Sequence, residues 1–97
     1  MDVARVIEVE HLGGRVLRVG FSDGLVRDLD FAGALPGVLA IIDDDDVFPN
    51  VTVDAVARTV TWPEGVDFDP DVLHGDHAPA SGSGPRLLRE QHREPAR

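Results

Sequence analysis

The sequence predicts an α+β fold: a small antiparallel sheet of about five strands with short helical segments and a disordered tail. Three observations predict it. Apolar and polar residues alternate with period two over residues 3–30, and two glycine turns interrupt the alternation. Over residues 31–50 the alternation gives way to spacings near three and four. It returns over residues 51–62.

Residues 3–12 read as the first strand, with Val3, Val6, Ile7, Val9 and Leu12 interleaved with Arg5, Glu8 and Glu10. Gly13-Gly14 supplies the positive φ that a tight hairpin requires. In residues 15–21, Leu17, Val19 and Phe21 share one face and Val16, Arg18 and Gly20 the other. Ser22-Asp23-Gly24 is the next turn, since Asp-Gly accepts left-handed geometry. Residues 25–30 set Leu25, Arg27 and Leu29 opposite Val26, Asp28 and Asp30, completing a three-strand meander.

Ala32, Leu35, Val38, Leu39 and Ile42 suit one or two helical turns broken at Pro36-Gly37. The Asp43–Asp46 carboxylates suit the positive end of a following turn. Val51 and Val53, then Val60 and Trp62, give a two-strand hairpin joined through residues 54–58 and stopped by Pro63-Glu64-Gly65. Asp69-Pro70-Asp71-Val72-Leu73 reads as a cap and one helical turn, with Asp67 or Asp69 as the capping residue.

Composition divides the chain near Gly75. Twenty-nine of its Val, Ile, Leu, Phe and Trp residues precede that point and only Leu87 and Leu88 follow it, so residues 1–75 are the single expected domain. A core of that size removes only about 60% of the unfolded surface from water, which leaves pairing between copies open as a supplement to stability. Residues 78–85 have the composition of a flexible linker, and residues 76–97 are expected to be disordered, with a brief helix over 86–97 as the alternative.

The net charge is −9, and residues 1–75 carry −10 of it against +1 for the rest. Such a surface repels phosphate backbones, so no direct nucleic-acid binding by the folded part is expected; a small basic protein is the partner it favours. The Arg-bearing tail lacks an aromatic residue on which a base could stack. Cysteine is absent, no apolar run reaches the ~20 residues of a membrane span, and the charged amino terminus is unlike a signal peptide. A cytoplasmic setting is therefore expected.

Candidate chemistry is sparse. Asp43–Asp46 offers carboxylates to a cation, but consecutive side chains diverge, and a solvated acidic loop explains them. Asp67, Asp69 and Asp71 have the spacing that opens an EF-hand loop, yet Val72 and Ala78 occupy its Gly and Glu positions. His74 and His77 have metal-ligand spacing without an evident third ligand. No nucleophile–His–Asp arrangement or phosphate-cradling glycine loop is apparent, so neither an enzyme nor a cofactor is expected. Trp62 either anchors the core or marks a binding surface, where Asp67 and Asp69 would accompany it.

Four stretches carry a family resemblance: Phe21-Ser22-Asp23-Gly24; Val26-Arg27-Asp28-Leu29-Asp30; Val51-Thr52-Val53-Asp54; and the closing run from Trp62 to Leu73. Their order and spacing resemble the bacterial domain of unknown function 2442 family over about residues 3–75. Glu64 stands where that family usually carries Asn, and the Asp43–Asp46 run is more acidic than is usual there. The resemblance implies a small α+β domain of no established activity. Some relatives of that family are fused to a helix-turn-helix DNA-binding domain or encoded beside a second small protein of unknown function, in an arrangement similar to toxin–antitoxin pairs. By that similarity the chain is expected to be a non-enzymatic protein-interaction module, the antitoxin-like half of a two-protein operon. The alternative is a metal-binding protein or metal-dependent enzyme using the clustered Asp and His residues.

Overall fold

A computed structural model of the chain describes residues 5–35, 37–68, 70–75 and 84–93. The meander is present as β1 (Val6–Gly13), β2 (Val16–Phe21) and β3 (Leu25–Asp30), all antiparallel. Gly14 opens the first turn at φ 54°, and the Gly13–Val16 register makes Gly14-Arg15 the two-residue loop, one position later than the glycine pair suggests. At the second turn the Gly24 N–H donates to the Phe21 carbonyl at 3.0 Å, and the Leu25 N–H to Asp23 Oδ1 at 3.0 Å. Gly24 takes φ 92°, a conformation in which a Cβ would clash with the backbone.

Between β3 and the next strand lie two 3-10 helices, Gly37–Ile42 and Phe48–Asn50. Strands β4 (Thr52–Asp54) and β5 (Thr59–Thr61) form a hairpin, and α1 (Pro70–His74) is the single turn foreseen near Pro70. The expected capping residue Asp69 lies outside the described residues; Asp67 forms an isolated bridge with Thr61 instead.

Apolar side chains on one face of the meander meet Ile42, Phe48, Val60, Trp62 and Leu73 beneath it. All the buried apolar residues of the described chain lie between Val6 and Leu73. Phe31, Phe48, Trp62 and Phe68 form an aromatic cluster, with Trp62 5.6 Å from Phe48 and 5.9 Å from Phe68 between ring centres. The Trp62 Nε1–H donates to the Phe48 carbonyl at 2.8 Å, which satisfies the one polar atom the indole brings inside.

Two expectations are corrected. The strands do not make one five-stranded sheet: β4 and β5 form a separate two-stranded ribbon, and the sheet itself has four strands, in the order β1-β2-β3-β6. The fourth is β6 (Arg86–His92), within the tail expected to be disordered or briefly helical. Leu87, Leu88, Arg89, Glu90 and Gln91 are good helix formers without strict alternation, so local propensity conceals the strand. A non-local ladder with β3 overrides it. The linker expected before it lies mostly outside the described residues.

Arg58, at the end of the β4–β5 turn, has φ 62° and is the only non-glycine residue at positive φ among the described residues. Left-handed geometry costs a side-chain-bearing residue roughly 1–2 kcal/mol, part of which glycine returns through its freer unfolded chain. Arg58→Gly is therefore expected to raise stability by about 0.5–1 kcal/mol in urea titrations, with an unchanged slope.

Candidate interaction surface

On the face of the sheet turned away from the core the charges are ordered. Register places Glu10, Arg18, Asp28 and Arg89 opposite one another across the four strands, so that sign alternates along the row. Arg18 grips Asp28 with two hydrogen bonds, Nε to Oδ1 at 2.8 Å and Nη2 to Oδ2 at 3.0 Å. Asp28 is 8% exposed. The Arg18 hydrogen bonds hold its carboxyl below the ordinary 3.8 against the opposing effect of burial, aided by the positive charges of Arg18 and Arg89.

The adjacent row, Glu8–Gly20–Val26–Gln91, is shaped by a missing side chain. A Cβ on Gly20 would clash with Glu8 Oε1, because the Glu8 side chain lies over that glycine. Glu8 thereby meets Arg93, which follows β6. Glu8, Arg18, Val26, Gln91 and Arg93 help line a depression of about 330 Å³ there.

Strand β6 matches the charges of β3 position by position. Arg86 pairs with Asp30 at 3.3 Å, Arg89 stands opposite Asp28, and Glu90 Oε1 lies 3.1 Å from Arg27 Nε on the opposite face. The Arg93 N–H donates to the Gly24 carbonyl at 2.7 Å. All seven residues of β6 are exposed, so main-chain hydrogen bonds and charge, with little apolar burial, hold it in place.

Arg27 also donates from Nη1 to the Leu73 carbonyl at 2.8 Å, closing the last turn of α1. Beside it, His74 Nε2 lies 2.7 Å from Asp23 Oδ2, and the imidazole stands edge-on to Phe21 at 4.8 Å. A carboxylate only accepts, so His74 carries a proton on Nε2. Burial would raise the Asp23 pKa, but the Leu25 N–H and His74 hydrogen bonds outweigh it and leave the group below its ordinary value. The F-S-D-G turn is thus tied to the end of the closing motif.

The remaining candidates fall apart spatially. Trp62 is 2% exposed and stands in the core, the first of the two placements its sequence context offered. Asp67 is exposed beside Ile41, Glu64 and Val66, along a shallow groove that His74 does not line. Asp69 and His77 lie outside the described residues. Asp43 and Asp45 bind Arg15 at 2.8 and 2.9 Å, and that guanidinium stacks over Phe48 at 5.6 Å. The acidic run therefore acts as a clamp on the first hairpin. Among the described residues, no three His, Cys, Asp or Glu side chains gather as a metal ion would need. No helix among them is long and apolar enough to cross a membrane.

The pairing of β6 with β3 was hidden in the sequence, although the signal existed. Arg86, Arg89 and Glu90 complement Asp30, Asp28 and Arg27 in reverse order, as an antiparallel pair requires.

Residues 6–76 match the model of a family described as a protein of unknown function, DUF2442. The match stops before β6. Comparisons with the curated proteins and with the solved structures return no match.

Proposed function

The chain belongs to the DUF2442 family, and we propose that it is a non-enzymatic protein-interaction domain whose acidic sheet takes a small basic partner. One observation carries this reading. A segment outside the family-matched region lies along β3 with its arginines set against the carboxylates of β3 and β1. That segment is extended, exposed and basic, which supports a partner surface of the same kind. Main-chain pairing at a sheet edge supplies affinity, and the alternating charges supply register and selectivity.

The antitoxin-like role in a two-protein pair is the more specific form of this proposal. An acidic neutralising partner for a basic protein suits the charge of −9. Cytoplasmic residence goes with it. Metal-dependent chemistry is the weaker reading, because Asp43 and Asp45 are engaged by Arg15 and His74 by Asp23.

Tagged full-length chain isolated from its own host, with bound proteins identified by mass spectrometry, tests the proposal. A small basic protein is expected in stoichiometric amount, released by moderate salt. Recovery of the chain alone, at low salt and after gentle lysis, would refute it. If the partner is recovered, its expression alone is expected to slow growth, and co-expression of this chain to restore it.

A further inference from the structure

We infer that the outer edge of β3 is the docking track for the partner's strand, and that β6 occupies this track as an intramolecular competitor. The inference rests on the interaction reading and adds where the partner lies and what holds it off. Three features support it. The family match ends at residue 76, so the matched domain contains β1, β2 and β3 but not the strand that covers β3. A sheet edge of unpaired N–H and C=O groups is a template for strand addition, and β3 is such an edge whenever β6 leaves. Finally, every residue of β6 is exposed, so the strand contributes no buried side chain to the core it would leave.

The chemistry of the incoming strand follows from the groups that β6 meets. On the outer face the track offers Asp30, Asp28 and, reached across Gly20, Glu8; on the other face it offers Arg27. An extended segment with Arg or Lys aligned to those carboxylates, and an acid aligned to Arg27, satisfies all four. β6 does so with Arg86, Arg89, Arg93 and Glu90. Ten residues separate Gly75 from Arg86 in sequence, and a tether of that order gives an effective concentration near the millimolar range. A partner must therefore bind considerably more tightly than β6 does, or reach the chain when β6 is out.

The register shows how to open the track without touching the core. Because the Arg93 N–H points at β3, alternation directs the Gln91 and Arg89 N–H groups to β3 as well. Gln91→Pro removes one of these donors. As a second opening variant free of proline, the triple change Arg86→Glu, Arg89→Glu and Arg93→Glu sets like charges against Asp30, Asp28 and Glu8.

The probe is a fluorescein-labelled peptide of residues 84–97, titrated by anisotropy into full-length wild type and both opened variants. Circular dichroism checks that each variant is folded. The expected result is at least tenfold tighter binding to each opened variant than to wild type, with amide shifts along Leu25–Asp30. Equal affinity for wild type and the folded opened variants, or binding to neither variant, would overturn the inference. So would a wild-type dimer that Gln91→Pro returns to monomer, since the track would then belong to a second copy. The interaction reading is judged separately: a basic protein that still co-purifies while the peptide fails removes the β3 track and leaves the module.

Discussion

Trp62→Ala is expected to lose about 3–5 kcal/mol of stability, the usual range for truncating a large buried aromatic residue. A domain of this size holds about twice that in all, at about 0.05–0.15 kcal/mol per residue, so a substantial unfolded population is expected on mild warming. Two losses combine. The indole leaves a cavity between Phe48 and Phe68, and the Phe48 carbonyl loses its hydrogen-bond donor. Trp62→Phe separates them. It keeps much of the packing while leaving that carbonyl unpaired, and is expected to cost about 1–3 kcal/mol. Urea titration followed by circular dichroism measures both. A Trp62→Ala chain as stable as wild type, yet defective in partner binding, would return Trp62 to the surface role.

Asp28→Asn is expected to lower the melting midpoint by about 5 °C at neutral pH, on the scale by which a modest loss shifts a small domain. The partly exposed Arg18 guanidinium keeps the loss well below that of a fully buried ion pair. The dependence on pH is more diagnostic. Asp28 has a folded pKa below its ordinary 3.8, so its contribution is fully present above that value and is lost as the pH falls through the folded pKa. The difference between wild type and Asp28→Asn should therefore hold from pH 7 down to about 5, then shrink in more acid solution. Asp23, shifted in the same direction by the Leu25 and His74 hydrogen bonds, continues to weaken the variant over that range. A difference that stays constant, or widens, on acidification would show that the pair does not work as an ion pair.

The local elements were legible because each has a local cause. Alternation sets Leu17, Val19 and Phe21 on one face of β2 and Leu25 and Leu29 on one face of β3, and all five are buried. The Ser22-Asp23-Gly24 turn lies where its backbone requires it, and Pro70 begins α1. The matched family was legible from the F-S-D-G turn and the ordered run after Trp62. Sequence spacing did not show which residues meet across the fold. Asp23 and His74 are 51 positions apart, and Arg15 reaches Asp45 over 30. His74 directly follows the motif that holds Asp67, yet the two are drawn to different partners, His74 to Asp23 and Asp67 to a bridge with Thr61.

The β6 segment illustrates the same limit. Its arginines, seen alone, resemble the charge of a disordered tail, because nothing within residues 84–93 explains an extended conformation. The explanation lies in Asp28, Asp30 and Arg27, more than fifty residues upstream. A candidate surface built by charge-matched register is invisible to motif reading, which looks for fixed spacing along one stretch of chain. Gly20 adds a further part of the surface through its missing side chain, over which Glu8 bends toward Arg93.

Recognition of a basic partner by carboxylates on this sheet is the core of the proposed function. Its most direct test compares what co-purifies, from the native host, with the wild-type chain and with a chain carrying Glu8→Arg and Asp30→Arg. Both residues pair with arginines of the 86–93 segment, and neither belongs to the apolar core. The predicted result is one small basic protein bound stoichiometrically to wild type and lost from the folded double variant. A partner retained equally by both chains, or no partner with either, would contradict it.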